Sequence, residues 1–163
     1  VDRQSFLADV LHFRYAELDE VLASSDILSL HVPLNDATQH MINRESIKKI
    51  KKGALFINTS RGELVDNDAL IEALDKGIFS GAGLDVLEGE EYIKEEKQLL
   101  YESEKAEKIH VIAKDQSLVG RDNVVFTPHI GFYSEEALNR ILMTTLENIE
   151  AFADGKPRNI VCS

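Results

Sequence analysis

The stretch that decides the fold is "GALFINTSRGELVDNDALIEALDKGIFSGAGLDV", residues 53–86. It opens and closes with short apolar runs, "GALFIN" (53–58) and "GAGLDV" (81–86), which are typical of fully buried parallel strands. Between them, "DNDALIEALDKG" (66–77) has the apolar spacing of a helix that faces a sheet. A strand, a helix and a second strand in this order predict a right-handed crossover within a parallel sheet.

The limits of this helix are marked by the residues that commonly begin and end helices. Asp66 is a candidate N-cap, and Gly77 is a candidate C-terminal glycine. Leu70, Ile71 and Leu74 fall on one side of the helix and are predicted to face the sheet.

The pattern continues on both sides of this unit. "DILSLHV" (26–32) and "NVVFTP" (123–128) predict two more strands, and "NRESIKKIKKG" (43–53) predicts a helix with Asn43 as its N-cap. The last helix is predicted to run from near Ser134 to Gly155. Together these elements predict an α/β fold, a doubly wound parallel sheet of the Rossmann type. A polar, Glu- and Lys-rich insertion, residues 88–122, interrupts it and is expected to be helical and solvated.

Composition excludes several classes of function. The net charge of −11 argues against a general affinity for nucleic acid or anionic membrane. No apolar stretch approaches the roughly 20 residues that a membrane-spanning helix requires. The single cysteine, Cys162, cannot form an internal disulfide, which suits a reducing cytoplasm. We therefore expect a cytoplasmic protein with no nucleic-acid partner and no membrane partner. We also expect no metal site.

Candidate functional residues follow the ends of the predicted strands. Ligands of open parallel sheets bind beyond the carboxyl ends of the strands. The segments found there are "HVP" (31–33), "NTSRG" (58–62), "DVLEGE" (85–90) and "TPHIG" (127–131). One rim of the sheet thus gathers the charged residues Arg61, Asp85, Glu88, Glu90 and His129. Arginine, carboxylate and histidine on one rim suit acid–base chemistry on an anionic substrate.

These motifs resemble those of a known family. "INTSRGELVDNDALIEALDKGIFSGAGLDVLEGE" (57–90), followed by "TPHIG", resembles the signature of the NAD-dependent D-2-hydroxyacid dehydrogenases. "SDILSLHVPLNDATQHMIN" (25–43) resembles the stretch that precedes it in that family. The resemblance covers almost the whole chain and is strongest to the D-lactate dehydrogenase branch.

The resemblance implies catalytic roles for three residues. Arg61 matches the arginine that binds the substrate carboxylate through its planar fork of donors. His129 matches the acid that protonates the carbonyl oxygen, and Glu90 matches its paired carboxylate, since an anion beside an imidazole favours the protonated form. Phe132 is expected to contact the substrate side chain, whereas Glu88 is interpreted as a supporting or solvated neighbour of Glu90.

The resemblance also implies NAD as the cofactor. The residues that match its binding positions are Asp2, Val32, Pro33, Thr38, Thr59, Ser60, Arg61 and Asp85. Asp2 matches the acidic residue that binds the adenosine ribose, and a carboxylate there favours NAD over NADP.

The chain departs from the family pattern at its start. It contains no GxGxxG turn, since Gly81 and Gly83 are followed by Val86 at the third position. Residues 1–155 are therefore predicted to be the second part of an NAD-binding domain, and residues 156–163 a C-terminal tail. The substrate domain is expected to be absent from this chain. We expect the complete enzyme to be a homodimer and the isolated chain to be inactive.

The functional hypothesis is the reduction of a small, pyruvate-like 2-keto acid to its D-2-hydroxy acid with NADH. Several alternatives stay open. One is a non-enzymatic, NAD-sensing corepressor of the same family, and another is a phosphoglycerate or hydroxypyruvate type of dehydrogenase. A formate dehydrogenase is disfavoured because a glutamine would stand in place of Glu90. A doubly wound domain without a cofactor is the remaining alternative.

Overall fold

The computed structural model describes residues 8, 10–89 and 116–161. The chain divides into two compact units, Val1–Pro128 and His129–Ser163. The described part of the first unit contains one parallel sheet. Its strands, in spatial order, are β1 (Ile27–Leu30), β2 (Ala54–Asn58), β3 (Phe79–Leu84) and β4 (Val124–Phe126). The prediction of a parallel α/β sheet with these four strands is confirmed.

The helix between β2 and β3 also agrees with the prediction. Helix α1 (Leu18–Ser24) precedes β1, and helix α2 (Asn67–Asp75) joins β2 to β3. The Asp66 side chain caps α2 by accepting a hydrogen bond from the backbone N–H of Asp68 at 2.9 Å. Gly77 follows the helix with φ at 63°. Leu70 and Leu74 are buried against the sheet, because helical spacing puts both on the same side.

The predicted helix over residues 43–53 is wrong. Only one short 3₁₀ turn forms there, Ile47–Lys49. Asn43 behaves as a cap, since its side-chain oxygen accepts from two backbone N–H groups of the next turn at 2.9 and 3.0 Å. The backbone of Ile50 is already extended, and the N–H of Lys51 donates to a carbonyl of α1 at 3.0 Å. Tertiary contact with α1 therefore outweighs local helix propensity.

The core lies on one face of the sheet. Residues from α1, α2 and the 3₁₀ turn pack there, together with the buried Leu118 of a short helical turn at residues 116–119. Phe56 and Phe79 stack at the centre with ring centroids 4.8 Å apart. When each new parallel strand is added on the same side of the previous one, right-handed crossovers put all the connecting segments on one face of the sheet. The opposite face carries the exposed side chains of Ile27, Leu55 and Val125.

The second unit consists mainly of helix α3 (Glu135–Ala153). Ser134 caps it by accepting a hydrogen bond from the N–H of Ala137 at 3.2 Å, and Gly155 follows it with φ at 69°. The predicted limits of this helix are confirmed. Most of the insertion predicted at 88–122 lies outside the described residues, which stop at Gly89 and resume at residue 116. Within the described ranges, no helix has the length and apolar character needed to cross a bilayer.

Candidate active site

A cavity of about 320 Å³ opens beyond the carboxyl ends of β1 and β2. It is lined by Val32, Pro33, Leu34, Ser60 and Arg61. The loop after β1 provides an apolar wall, and the loop after β2 provides a polar, cationic one. Four predicted site residues, Val32, Pro33, Ser60 and Arg61, are thus brought together from segments about thirty positions apart, because parallel neighbours end at the same edge of a sheet.

The side chain of Asn58, the last residue of β2, fixes the loop that carries Arg61. It is 1% exposed. Its Oδ1 accepts a hydrogen bond from the N–H of Ser60 at 3.1 Å, and its Nδ2 donates to the carbonyl of Arg61 at 2.8 Å. The Ser60 hydroxyl donates to the carbonyl of Leu30 at 3.1 Å, and the carbonyl of Asn58 accepts from the N–H of Asp85 at 2.9 Å. These bonds tie the loop to the ends of both neighbouring strands.

Arg61 is the charged residue in the lining of this cavity. The residue is exposed, and its backbone is extended, with φ at −144° and ψ at 142°. One N–H of the guanidinium donates to the carbonyl of Ser60 at 2.7 Å, which restrains the direction of the side chain. A planar group with five donors can bind a carboxylate at two points, whereas an ammonium acts as a point charge. The geometry therefore suits recognition of a small carboxylate.

Gly62 allows the Arg61 loop to lie directly against the loop that follows β3. A Cβ at this position would be 2.1 Å from the carbonyl carbon and oxygen of Leu87 and 2.4 Å from the N of Glu88. The φ of Gly62 is outside the left-handed region, so the reason for glycine here is close approach of two backbones. This contact was not anticipated from the sequence, where the glycine gives no sign of its distant partner.

Asp85 is buried at the end of β3, with 6% of its surface exposed. Its carboxylate accepts a hydrogen bond from the hydroxyl of Thr127, which follows β4. The N–H of Thr127 in turn donates to the carbonyl of Leu84 at 2.9 Å. Asp85 therefore occupies a defined position after β3, and its role in binding the cofactor stays a prediction.

A contact between the His40 and Glu88 side chains was not predicted. Nε2 of His40 lies 2.6 Å from Oε1 of Glu88, joining the loop after β1 to the loop after β3. Glu88, interpreted from the sequence as a supporting or solvated residue, thus has a specific partner. Its other carboxylate oxygen is 3.5 Å from the backbone N of Asn67, the first residue of α2. His40 lies inside the quoted 25–43 motif, but 48 positions separate the two side chains and no local pattern indicates their contact.

Two further residues that were predicted to bind the cofactor, Thr38 and Thr59, lie in the loops after β1 and β2. The hydroxyl of Thr38 donates to the carbonyl of Pro33 at 2.7 Å and accepts from the N–H of Asn35 at 2.9 Å. It therefore shapes the loop after β1. Thr59 is exposed between Asn58 and Ser60. Direct contact of Thr38 or Thr59 with a cofactor remains predicted.

The remaining predicted site residues are Asp2, Glu90, His129 and Phe132. Asp2 and Glu90 lie outside the described residues. His129 and Phe132 belong to the second unit. His129 has φ at 55°, a conformation that non-glycine residues adopt infrequently and that is often retained at functional sites. The ring of Phe132 is half exposed and meets that of Tyr133 edge-on, with centroids 6.0 Å apart.

Comparison with known proteins places the chain in a family. Residues 2–131 match the family model described as D-isomer specific 2-hydroxyacid dehydrogenase, NAD binding domain. An aromatic 2-oxoacid reductase of Clostridium sporogenes is 41% identical over 144 residues, which cover 86% of this chain and 40% of the relative. A D-lactate dehydrogenase of Curvularia clavata is 40% identical over 143 residues, covering 88% of this chain and 39% of the relative.

A solved structure shows the same fold. The D-lactate dehydrogenase of Aquifex aeolicus, in complex with NAD and lactic acid, matches with a TM-score of 0.82 and 41% identity. The match covers 96% of this chain and 45% of that one. The chain thus spans less than half the length of these relatives, and the predictions of family, Rossmann-type fold and NAD as cofactor are confirmed. This chain belongs to the D-isomer specific 2-hydroxyacid dehydrogenases, and residues 2–131 correspond to the NAD-binding domain of that family.

Proposed function

We propose that the protein containing this chain reduces a 2-keto acid to the D-2-hydroxy acid with NADH. The observation that supports this most is the position of Arg61. This planar cation lines a cavity that also has an apolar wall, and the cavity lies beyond the carboxyl ends of the strands in an NAD-binding domain. Both features suit a keto acid, because a planar cation can bind its carboxylate at two points and an apolar wall can pack against the rest of a small molecule.

The cavity fits one part of the cofactor. Its volume, about 320 Å³, is at the lower end of the roughly 300–1,000 Å³ typical of ligand pockets. That space suits a nicotinamide ring and a small acid, not a whole dinucleotide. Val32 and Pro33 would pack on the ring, while Ser60 and the loop backbone supply the polar side. Bound NADH would supply the hydride that reduces the keto carbon.

The chain's own residues then orient the substrate and provide the proton. Arg61 would hold the substrate carboxylate and so fix the direction of the adjacent carbonyl. Asn58 and Gly62 would keep Arg61 in place through the contacts described above. His129 would donate the proton that the carbonyl oxygen gains, and Glu90 would favour the protonated imidazole. These two roles rest on the family resemblance.

The substrate class is proposed as small to medium 2-keto acids, with pyruvate as the first candidate. The relatives include both a D-lactate dehydrogenase and an aromatic 2-oxoacid reductase. The size of the pocket for the substrate side chain therefore decides which keto acid is accepted. Phe132 is proposed to contact the substrate side chain. A homodimer and a cytoplasmic location are part of the same proposal.

The test is NADH oxidation by the purified full-length protein with pyruvate, 2-oxoisocaproate, phenylpyruvate and hydroxypyruvate. Chiral chromatography of the products should show the D-enantiomer alone. Replacing NADH by NADPH should weaken activity, in agreement with the role assigned to Asp2. Tight binding of NADH without reduction of any of the four acids would refute the proposal and favour the corepressor alternative.

A further inference from the structure

We propose that Glu88 and His40 form a clamp that positions Arg61 for the substrate carboxylate; this inference rests on the proposed function. Neither residue lines the cavity, which is bounded by Val32–Leu34 and by Ser60 and Arg61. Both are therefore positioning residues, acting through the loop that carries Arg61.

The clamp joins three segments of the rim. Nε2 of His40 is 2.6 Å from one carboxylate oxygen of Glu88, and the other oxygen is 3.5 Å from the backbone N of Asn67. Asn67 begins α2, so the carboxylate lies at the positive end of the helix, where negative charge is favoured. Glu88 thus bridges the loop after β1 and the first turn of α2.

Backbone hydrogen bonds connect the same segments. The N–H of His40 donates to the carbonyl of Glu63 at 2.9 Å, and the N–H of Ile42 donates to the carbonyl of Leu64 at 3.1 Å. The N–H of Asp66 then returns a bond to the carbonyl of Ile42 at 2.9 Å. The segment that carries His40 therefore runs alongside the residues that immediately follow Arg61.

The close contact at Gly62 connects the loop after β3 to the loop that carries Arg61. Because the backbone of Leu87 and Glu88 lies against this glycine, any shift of the loop after β3 moves the residue next to Arg61. Holding Glu88 to His40 and α2 fixes that loop, and so fixes Arg61 through Gly62.

A purely stabilising role fits the observations less well. The His40 and Glu88 side chains are 39% and 31% exposed, and pairs this accessible contribute little to stability. His40 also has φ at 48°, a conformation that costs energy in a non-glycine residue and is often kept at functional sites. We therefore expect loss of the clamp to change substrate binding much more than the stability of the protein.

Three variants of the full-length enzyme separate these roles. Glu88→Gln leaves one acceptor oxygen in place of two, so it can accept from His40 or from Asn67 but not from both. His40→Leu removes the donor, whereas His40→Gln keeps an N–H donor. In Glu88→Gln and in His40→Leu, we expect KM for the 2-keto acid to rise about tenfold. This is the change expected from the loss of one charge-assisted hydrogen bond. The NADH dissociation constant should be unchanged, kcat should change less than KM, and His40→Gln should recover most of the loss.

A matched control is available on α2. Glu72 and Lys76 form a pair with the same N–O distance, 2.6 Å, one turn apart on that helix. Glu72→Gln should leave KM unchanged. The double variant His40→Leu with Glu88→Gln should be no worse than either single variant, because both remove the same interaction.

A second measurement does not depend on turnover. Hydrogen–deuterium exchange of the amides of residues 61–67 should be about tenfold faster in Glu88→Gln, reflecting local opening of this loop. The amides of β2 should serve as the unchanged reference. If the wild type reduces no 2-keto acid, the proposed function fails while exchange still tests the clamp. Unchanged KM and unchanged exchange in Glu88→Gln would overturn the clamp, as would equal acceleration of exchange in β2.

Discussion

Adding one methyl group at Gly62 should separate the loop that carries Arg61 from the loop that follows β3. In Gly62→Ala the new Cβ would lie 2.1 Å from the carbonyl carbon of Leu87. Non-bonded carbon atoms prefer about 3.5 Å, so one backbone must move by about 1.4 Å relative to the other. Neither can yield easily, because the contacted atoms belong to the main chain and Glu88 is held by His40.

The expected consequence is mainly catalytic. A misplacement of about 1 Å near a reacting group can cost about 100-fold in rate, so kcat/KM for pyruvate or the best 2-keto acid should fall by about that factor. Overpacking should also lower the free energy of unfolding by about 1–3 kcal/mol. Steady-state NADH oxidation measures the first effect, and urea denaturation measures the second.

Gly83→Ala is the matched control for this prediction. A Cβ there would meet only Cγ1 of Ile57, at 3.9 Å, an ordinary contact among the described residues. Its kcat/KM should stay within about threefold of the wild type, a difference below 1 kcal/mol. If Gly62→Ala retained full kcat/KM, close approach of the two loops would not be what positions Arg61, and the reasoning would be refuted.

Further predictions concern the loop and the acid. Asn58→Asp keeps an acceptor for the N–H of Ser60 but places a carboxylate oxygen against the carbonyl of Arg61. The free energy of unfolding should therefore fall by about 1–3 kcal/mol, and KM for the keto acid should rise. Unchanged urea denaturation curves would contradict this. His129→Gln should be nearly inactive at every pH, which initial rates from pH 5 to 9 would check. Glu90→Gln should lose activity at a lower pH than the wild type on the alkaline side, since the imidazolium would lack its anion; superimposable profiles would remove the pairing.

The sequence predicted the sheet and two helices well because their signals are local. The apolar runs that became β1 to β4 and the caps of α2 and α3 depend on neighbouring residues, as do the glycines that follow the helices. The helix predicted over 43–53 does not form, because the backbone N–H of Lys51 makes a hydrogen bond to α1 and the chain is extended after one turn. No local pattern records a contact of that kind.

The same distinction applies to the site. The sequence predicted that Val32, Pro33, Ser60 and Arg61 lie at one edge of the sheet, because parallel strands end there, and these four residues line one cavity. It did not anticipate the side-chain amide of Asn58, the close approach at Gly62 or the pairing of His40 with Glu88. These depend on how loops from different strands meet, which spacing along the chain does not specify.

The most direct test of the central claim is the affinity of the NADH complex for oxamate, an unreactive analogue of pyruvate, in the wild type and in Arg61→Lys. Lysine keeps the charge but loses the planar two-point contact. We predict that the oxamate dissociation constant rises about 100-fold, equivalent to about 2.7 kcal/mol, while the NADH dissociation constant changes less than about threefold. Fluorescence titration of bound NADH measures both constants. Equal affinity for oxamate in the two proteins would contradict the assignment of Arg61 as the residue that binds the substrate carboxylate.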